Sequence, residues 1–506
     1  MAVKINTATF NGVDGISINV EVDISNGLPS FNIVGLADTS IKESKERVRA
    51  AIRNSGFEFP MRRITINLSP ADVRKVGSSF DLPIAIGILV ATGQISTEEI
   101  NNYLFVGELS LLGELKKVSG VLPTVLQGKS NNIKDFILPY ENREESSIIN
   151  DINVYAFKNL KEIIGFLKYK DLLPYIKKNE LKEETYSIDY KDVIGQRAAK
   201  RAIEVAAAGG HNILLYGSPG SGKSLLARRI PTILPPLTYD EAIEVTKLYS
   251  VSREYKNLNG LIYKRPFRSP HHTTTKIALA GGGSRMHPGE ISLAHCGVLY
   301  LDEILEFKNS TLEVLRQPLE DRKIIITRSS GKVEYPANIM LVGSSNLCKC
   351  GNYQSPNKIC TCTEYEVKKY LNRISGPLLD RIDIYSSVNL VPYNELNKKN
   401  NSETSLDIRK RVISARKVQI NRFKNEKIFS NAEMNENQIR KYCVLDNDAR
   451  KMIKKIYKEH KLSLRAYSRI LKVSRTLADL QNKKNITKDN VIEAVQYRKY
   501  INNKVI

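Results

Sequence analysis

The stretch Gly217-Ser218-Pro219-Gly220-Ser221-Gly222-Lys223-Ser224 has the spacing G-x-x-x-x-G-K-[ST]. Glycines so placed let backbone N–H groups close on phosphates, with a lysine reaching the β/γ-phosphates and a hydroxyl ligating Mg2+. Lys223 and Ser224 take those roles, so the chemistry is ATP and Mg2+ binding. The apolar run before the loop, Asn212 to Tyr216, and the helix start after it, Leu225 to Ile230, are the context the motif needs. A second run, Gly297-Val298-Leu299-Tyr300-Leu301-Asp302-Glu303, delivers two acids from a strand end. Asp302 suits the Mg2+ shell, and Glu303 suits orienting or activating water for attack on the γ-phosphate. The run Ile339 to Ser345 ends at Asn346, whose side chain can hydrogen-bond that water or the phosphate. Downstream, Ser375 to Asp383 offers Arg381, and Arg465 opens a C-terminal helix with Arg469 one turn further on.

Cys348, Cys350, Cys360 and Cys362 read C-x-C-x9-C-x-C. Four thiolates can close a tetrahedral Zn2+ site. A C-x-C pair has less backbone slack than C-x2-C, and reduced spectator thiols are the alternative. Cys296 and Cys443 read as core, and His271 and His272 as structural or loop residues.

These residues need elements to hold them. Ile16, Ile18, Val20, Val22 and Ile24 alternate with polar residues, as do Ile64, Ile66 and Leu68, which predicts half-buried strands. Ile41, Val48, Ala51 and Ile52 fall at helical spacing, with Gly56 as a stop, and Phe80 to Thr92 suits a core helix. From Asp192 to Pro392, the runs Ile213–Tyr216, Val298–Leu301, Ile324–Thr327 and Ile339–Val342 alternate with helical segments, which predicts a largely parallel sheet with helices on both faces. Ala466, Ile470, Val473, Leu477 and Leu480 form a helical stripe. The expected division is an α+β domain over 1–166, a linker over 167–190, a P-loop α/β domain over 191–394 and a helical domain over 403–506.

Among 506 residues, 77 Lys and Arg stand against 54 Asp and Glu, a net charge of +23. Residues 401–506 carry 26 Lys and Arg against 11 Asp and Glu, a net +15. That excess suits a polyanion-binding face or a solvated basic surface. Six cysteines do not make a disulfide framework, no run is long and apolar enough for a membrane span, and the start lacks a signal-peptide pattern. The expected setting is the cytoplasm, with no membrane partner.

The layout resembles the AAA+ ATPases, in the branch of magnesium chelatase ATPase subunits and MCM helicases. Arg265-Pro266-Phe267-Arg268-Ser269-Pro270-His271-His272-Thr273, Gly281 to Ser284 and Pro288 to His295 look like the chelatase subunits. Thr7 to Val13 and Pro29 to Leu36 resemble the ComM/YifB family of bacterial magnesium-chelatase-like proteins, and the resemblance runs essentially end to end. It implies Asp192 to Gln196 near the adenine, Asn346 as first sensor, Arg381 as a finger into the neighbouring subunit's site and Arg465 as second sensor. It also implies a hexameric ring that drives DNA branch migration in natural transformation. In the helicase relatives a basic-tipped hairpin enters the ring channel. The run Lys323 to Tyr335, with Ser330-Gly331 as its turn, matches it, and Arg328 and Lys332 are the matching DNA-contacting positions. Lys75 to Asp81 and Gly113 to Lys116 look like the Ser and Lys segments of the Lon protease domain, with Ser79 and Lys116 at the catalytic positions. Phe80 and Asp81 replace small residues there, which favours a shared fold without catalysis. The competing readings are a protein-remodelling AAA+ subunit and an ATP-dependent Ser–Lys protease.

Overall fold

Alternating side chains between Asp14 and Ser25 bury one face of a long strand, with Ile18, Val20 and Val22 covered. It pairs antiparallel with Val3–Asn11 on one side and Arg63–Ser69 on the other. These lie in a seven-stranded sheet, in the order Ser30–Val34, Arg63–Ser69, Asp14–Ser25, Val3–Asn11, Tyr103–Phe105, Asp135–Pro139, Asn153–Phe157. The expected helix Thr39–Asn54 forms, capped by Asp38, and the chain leaves it through Gly56 at φ +87. Asp81–Ala91 is the expected core helix, its residues Asp81 to Val90 all buried.

The computed structural model describes residues 2–36, 38–73, 75, 77–96, 100–176, 186–252, 260–283, 286–328, 331–354, 358–392, 403–426 and 428–498. Part of the expected linker and all of the polar boundary near 394–402, together with Ser284 and Ser330, lie outside these residues. The chain forms two compact units. The first takes Met1–Lys182 and also Tyr239–Ile262. The returning segment is tied in closely: Gly120 N–H donates to Ser250 O at 3.0 Å, Tyr239 hydroxyl donates to Ile148 O at 3.2 Å, and Ser250 hydroxyl donates to the buried Glu145. Ile243 and Leu261 pack on the cluster that contains Val121, Leu122 and Val125.

The second unit, Glu183–Thr238 with Tyr263–Ile506, is built on a five-stranded parallel sheet. Its order is Phe267–Arg268, Val298–Leu301, Met340–Ser345, Ile213–Tyr216, Ile384–Ser387. The run Ile324–Thr327 is not in this sheet. Strand Lys323–Arg328 pairs antiparallel with Gly331–Pro336 in a separate hairpin, Arg328 opposite Gly331. Alternation explains this: Ile324 and Ile326 are buried while Thr327 and Arg328 are exposed, so only one face can meet a core.

Among the described residues, five α-helices follow: Ser405–Arg422, Glu436–Tyr442, Asn447–His460, Leu464–Leu480 and Lys488–Gln496. Each starts at a side chain suited to bond free N–H groups: Thr404, Asn435, Asp446, Ser463 and Thr487. Ala466, Ile470, Val473 and Leu477 are buried as the stripe predicts, in one core with the sheet residues Ile213, Val298 and Val342. Part of the basic excess lies inside this core. Arg475 and Arg498 are each 1 % exposed, and Arg475 and Arg422 share the carboxylate of Asp479.

Candidate nucleotide site

The strand Ile213–Tyr216 is interior in the sheet, paired with Met340–Ser345 and the edge strand Ile384–Ser387. At its end the chain turns at Gly217, where a Cβ would lie 2.1 Å from Val388 O. Gly222, at φ +97, starts the helix Lys223–Arg229 in a conformation that side chains disfavour. Lys223 is buried. Its Nζ donates to Gly217 O at 2.7 Å, to Ser218 O at 2.9 Å and to Asn346 Oδ1 at 3.1 Å. Burial pushes this ammonium down to about 8, against the opposing pull of Asp302 and Glu303. The buried Ser221 Oγ has no hydrogen-bond partner among the described residues. A buried cation resting on neutral carbonyls, beside an unsatisfied hydroxyl, fits a polyphosphate.

Two strands from Ile213–Tyr216, beyond Met340–Ser345, the strand Val298–Leu301 is wholly buried and delivers Asp302. Asp302 Oδ2 accepts from Ser224 Oγ at 3.0 Å, and its Oδ1 accepts from Ser344 Oγ and from Glu303 N–H. Burial pushes Asp302 up, but hydrogen bonds from Ser344, Tyr300 and Ser224 outweigh it and hold the carboxyl below its ordinary range. An ionised acid and a hydroxyl at this distance suit a hard cation with oxygen ligands, as Mg2+ requires. Glu303 lies in the left-handed region at φ +49. Its N–H donates to Ser344 Oγ at 2.9 Å, and its side chain is exposed. A non-glycine residue held in this region carries strain, which here turns the carboxylate out of the strand.

The strand between the two, Met340–Ser345, leads directly into Asn346, which accepts from Lys223. The loop, the acids and Asn346 therefore converge at the C-terminal ends of three adjacent parallel strands. Gln196 joins them, its Nε2 donating to Ser221 O at 3.3 Å.

The region 189–396 matches the family profile described as magnesium chelatase, subunit ChlI. Residues 20–142 match one described as subunit ChlI of Mg-chelatase, and residues 402–498 match its C-terminal part. The chain is 41% identical over 495 residues to the competence protein ComM of Haemophilus influenzae, covering 96% of this chain and 95% of that one. It is 40% identical over 495 residues to YifB of Escherichia coli, covering 98% and 96%. This chain belongs to the ComM/YifB family of magnesium-chelatase-like AAA+ proteins. A weaker likeness, 29% over 164 residues and 29% of each chain, links it to Lon protease 2 of Bacillus subtilis.

Other residues to which the family resemblance gives roles are placed as follows. Arg381 is nearly covered: its guanidinium pairs with Glu320 and donates to Pro377 O at 2.7 Å. Arg465 is exposed at the start of Leu464–Leu480. One turn on, Arg469 pairs instead with Asp383, whose carboxylate also accepts from Asn212 N–H at 3.0 Å. Buried His211 completes this group, with Nε2 2.8 Å from Thr476 Oγ1. Arg328 and Lys332 are both exposed on their hairpin. Arg328 reaches toward a second short hairpin, 3.6 Å from where a Cβ of Gly282 would lie.

The four cysteines come together. Sγ of Cys348 lies 3.3 Å from Cys350 and 3.7 Å from Cys360, Cys350 lies 3.5 Å from Cys360, and all four sulfurs fall within 4.8 Å of one another. A Zn–S bond of about 2.3 Å gives tetrahedron edges of about 3.8 Å, so the sulfurs stand where a Zn2+ would hold them. Backbone N–H groups of Asn352 and Thr361 push Cys350 down to about 5, while burial pushes Cys348 up.

The Lon-like pair is differently disposed. Lys116 Nζ lies 2.7 Å from Glu114, half-exposed, and this contact raises its pKa above the ordinary value. A catalytic lysine base needs desolvation and the opposite shift. Asp81 is buried here, accepting from Arg47 Nε at 2.7 Å, and burial pushes it up to about 6.

Ser344, Tyr300 and the pairing of Arg469 with Asp383 and His211 escaped the sequence reading. Small polar residues at the end of a buried strand, Ser344-Ser345 before Asn346, were the available signal for the first.

Proposed function

We propose that this protein is an ATP-driven motor that assembles as a hexameric ring in the cytoplasm and moves single-stranded or branched DNA, acting as a branch-migration helicase in natural transformation or recombination. The observation that carries the ATPase part is the Ser224–Asp302 contact at 3.0 Å, which joins the phosphate loop to the acid-bearing strand. In this reading Gly217, Ser218, Pro219, Gly220, Ser221 and Gly222 wrap the phosphates and Lys223 neutralises the β/γ oxygens. Mg2+, held by Ser224 and Asp302, supplies charge neutralisation on the transferring phosphoryl group. Glu303 orients the attacking water, and Asn346 fixes Lys223 and the γ-phosphate. Arg381 acts in trans once it leaves Glu320, and Arg465 faces nucleotide from the lid. The four cysteines hold Zn2+.

The exposed Arg328 and Lys332 support the DNA part, as does the tie of the Haemophilus relative's name to competence. The match to magnesium chelatase favours a second reading, in which ATP drives remodelling of a protein partner. Protease activity is disfavoured by the Lys116–Glu114 pair. ATPase rates with and without single-stranded, duplex and branched DNA separate the first two. Stimulation by DNA supports the motor, and indifference to every DNA supports remodelling.

A further inference from the structure

The cysteine segment adjoins the nucleotide site at its start, and the helix that follows it leads back to the turn after Glu303. One buried residue, Leu347, separates Asn346 from Cys348. Beyond Cys350 the chain folds back at Gly351, whose N–H donates to Cys348 O at 3.0 Å and whose φ is +81. A Cβ on Gly351 would lie 2.4 Å from Cγ and 2.7 Å from Cδ of Pro219. The thiol turn thus packs on the phosphate loop with no room for a methyl group. At the other end Cys362 precedes Thr363, which caps Glu364–Leu371. Just past that helix, Arg373 donates to Leu305 O at 3.1 Å and to Glu306 at 3.0 Å, in the turn that follows Glu303.

Among its described residues, the stretch from Leu347 to Cys362 has no helix or strand to hold this shape. Four sulfurs this close, once ionised, repel one another unless a cation sits among them. In such segments metal-binding energy serves as folding energy.

We infer that the four-cysteine turn is a metal-dependent brace: Zn2+ held by Cys348, Cys350, Cys360 and Cys362 seats Gly351 on Pro219 and Asn346 beside Lys223, so that metal occupancy sets nucleotide affinity. The inference rests on the Zn2+ and ATP assignments above. Ligand removal outside the nucleotide site then acts on that site through position alone.

Full-length protein purified without chelator is assayed for zinc by atomic emission. Its affinity for a fluorescent ATP analogue, in constant excess Mg2+, is measured as purified, after zinc is stripped and dialysed away, and after zinc is returned. About one zinc per chain is expected. Stripping should weaken the affinity roughly tenfold, about the loss of one hydrogen bond to a charged phosphate, and returned zinc should restore it. Gly351→Ala keeps all four thiols, so it should retain zinc and still lose affinity. Zinc near zero in the purified wild type overturns the metal assignment and the brace together. One zinc per chain whose removal leaves nucleotide affinity unchanged overturns the brace alone. A zinc-loaded wild type that binds no ATP analogue overturns the nucleotide assignment.

Discussion

Lys223 Nζ lies 3.1 Å from Asn346 Oδ1, so the phosphate loop and the end of the adjacent strand share a hydrogen bond. The lysine is buried, and burial lowers its pKa from 10.5 to about 8. A bound phosphate favours the ammonium, so nucleotide binding takes up protons above about pH 8. Affinity should hold level below that pH and weaken above it, approaching tenfold per unit. For the nucleotide-free protein, the unfolded state holds more protons between 8 and 10.5, so this group's contribution makes stability rise with pH across that window. Calorimetric titration from about pH 7 to about pH 9.5, in buffers of different ionisation heat, reads the proton uptake. An affinity flat to the top of that range would contradict the assignment of Lys223.

Glu303→Gln should bind ATP as the wild type does and turn over at least about 10²-fold more slowly, the usual cost of removing a general base. Lys223→Ala should lose binding itself. Equilibrium binding and phosphate release, measured on both variants, separate the two roles. Wild-type turnover in the Gln variant would remove Glu303 from the chemistry.

Arg381→Ala should abolish turnover, with a loss on the order of 10³-fold for an arginine that stabilises the transferring phosphoryl group. Mixing it with Lys223→Ala should recover part of the activity, because a ring then contains sites built from an intact Lys223 and a neighbour's intact Arg381. No recovery in mixed rings, or full activity in a strictly monomeric wild type, counts against action in trans.

Lys332→Ala with Arg328→Ala should leave nucleotide binding unchanged and uncouple ATP use from strand movement. Each lost phosphate contact should flatten the salt dependence of DNA binding by about one charge, evenly across sequences. Branch migration and ATPase are measured on one preparation. Unimpaired migration would take the hairpin out of the mechanism.

Arg47→Met should destabilise the first unit by about 3–5 kcal/mol, because it leaves the buried Asp81 carboxylate without its cation. Asp81→Asn added to it should recover part of the loss. Scanning calorimetry reads both, and an unchanged melting profile in Arg47→Met would show that the pair is dispensable.

The long elements were legible because each shows enough residues of one pattern. Ile16 to Ile24 alternates far enough to fix a period of two, and Phe80 to Thr92 is an apolar run too long for one strand, as a helix buried all round requires. Phe267–Arg268, two residues long, and Ile384–Ser387 are too short to do so, yet both are strands of the parallel sheet. Ile324–Thr327 looked like a sheet strand because three isoleucines mask an alternation that appears only in the burial pattern. The phosphate loop was legible because its parts are contiguous. Bonds such as Ser344 to Asp302, or Arg381 to Glu320, join residues far apart in the chain, and composition carries no mark of them. The same holds for Tyr239–Ile262, whose apolar residues could serve either core.

That returning segment has a consequence for how the gene can be divided. No single cut yields both halves whole. A break before residue 239 deprives the first unit of the helix that bonds Gly120 and Glu145, and a break after 262 leaves the phosphate loop on the wrong fragment. A fragment that keeps the N-terminal sheet without Tyr239–Ile262 therefore presents Val121, Leu122 and Val125 without the Ile243 and Leu261 that pack on their cluster.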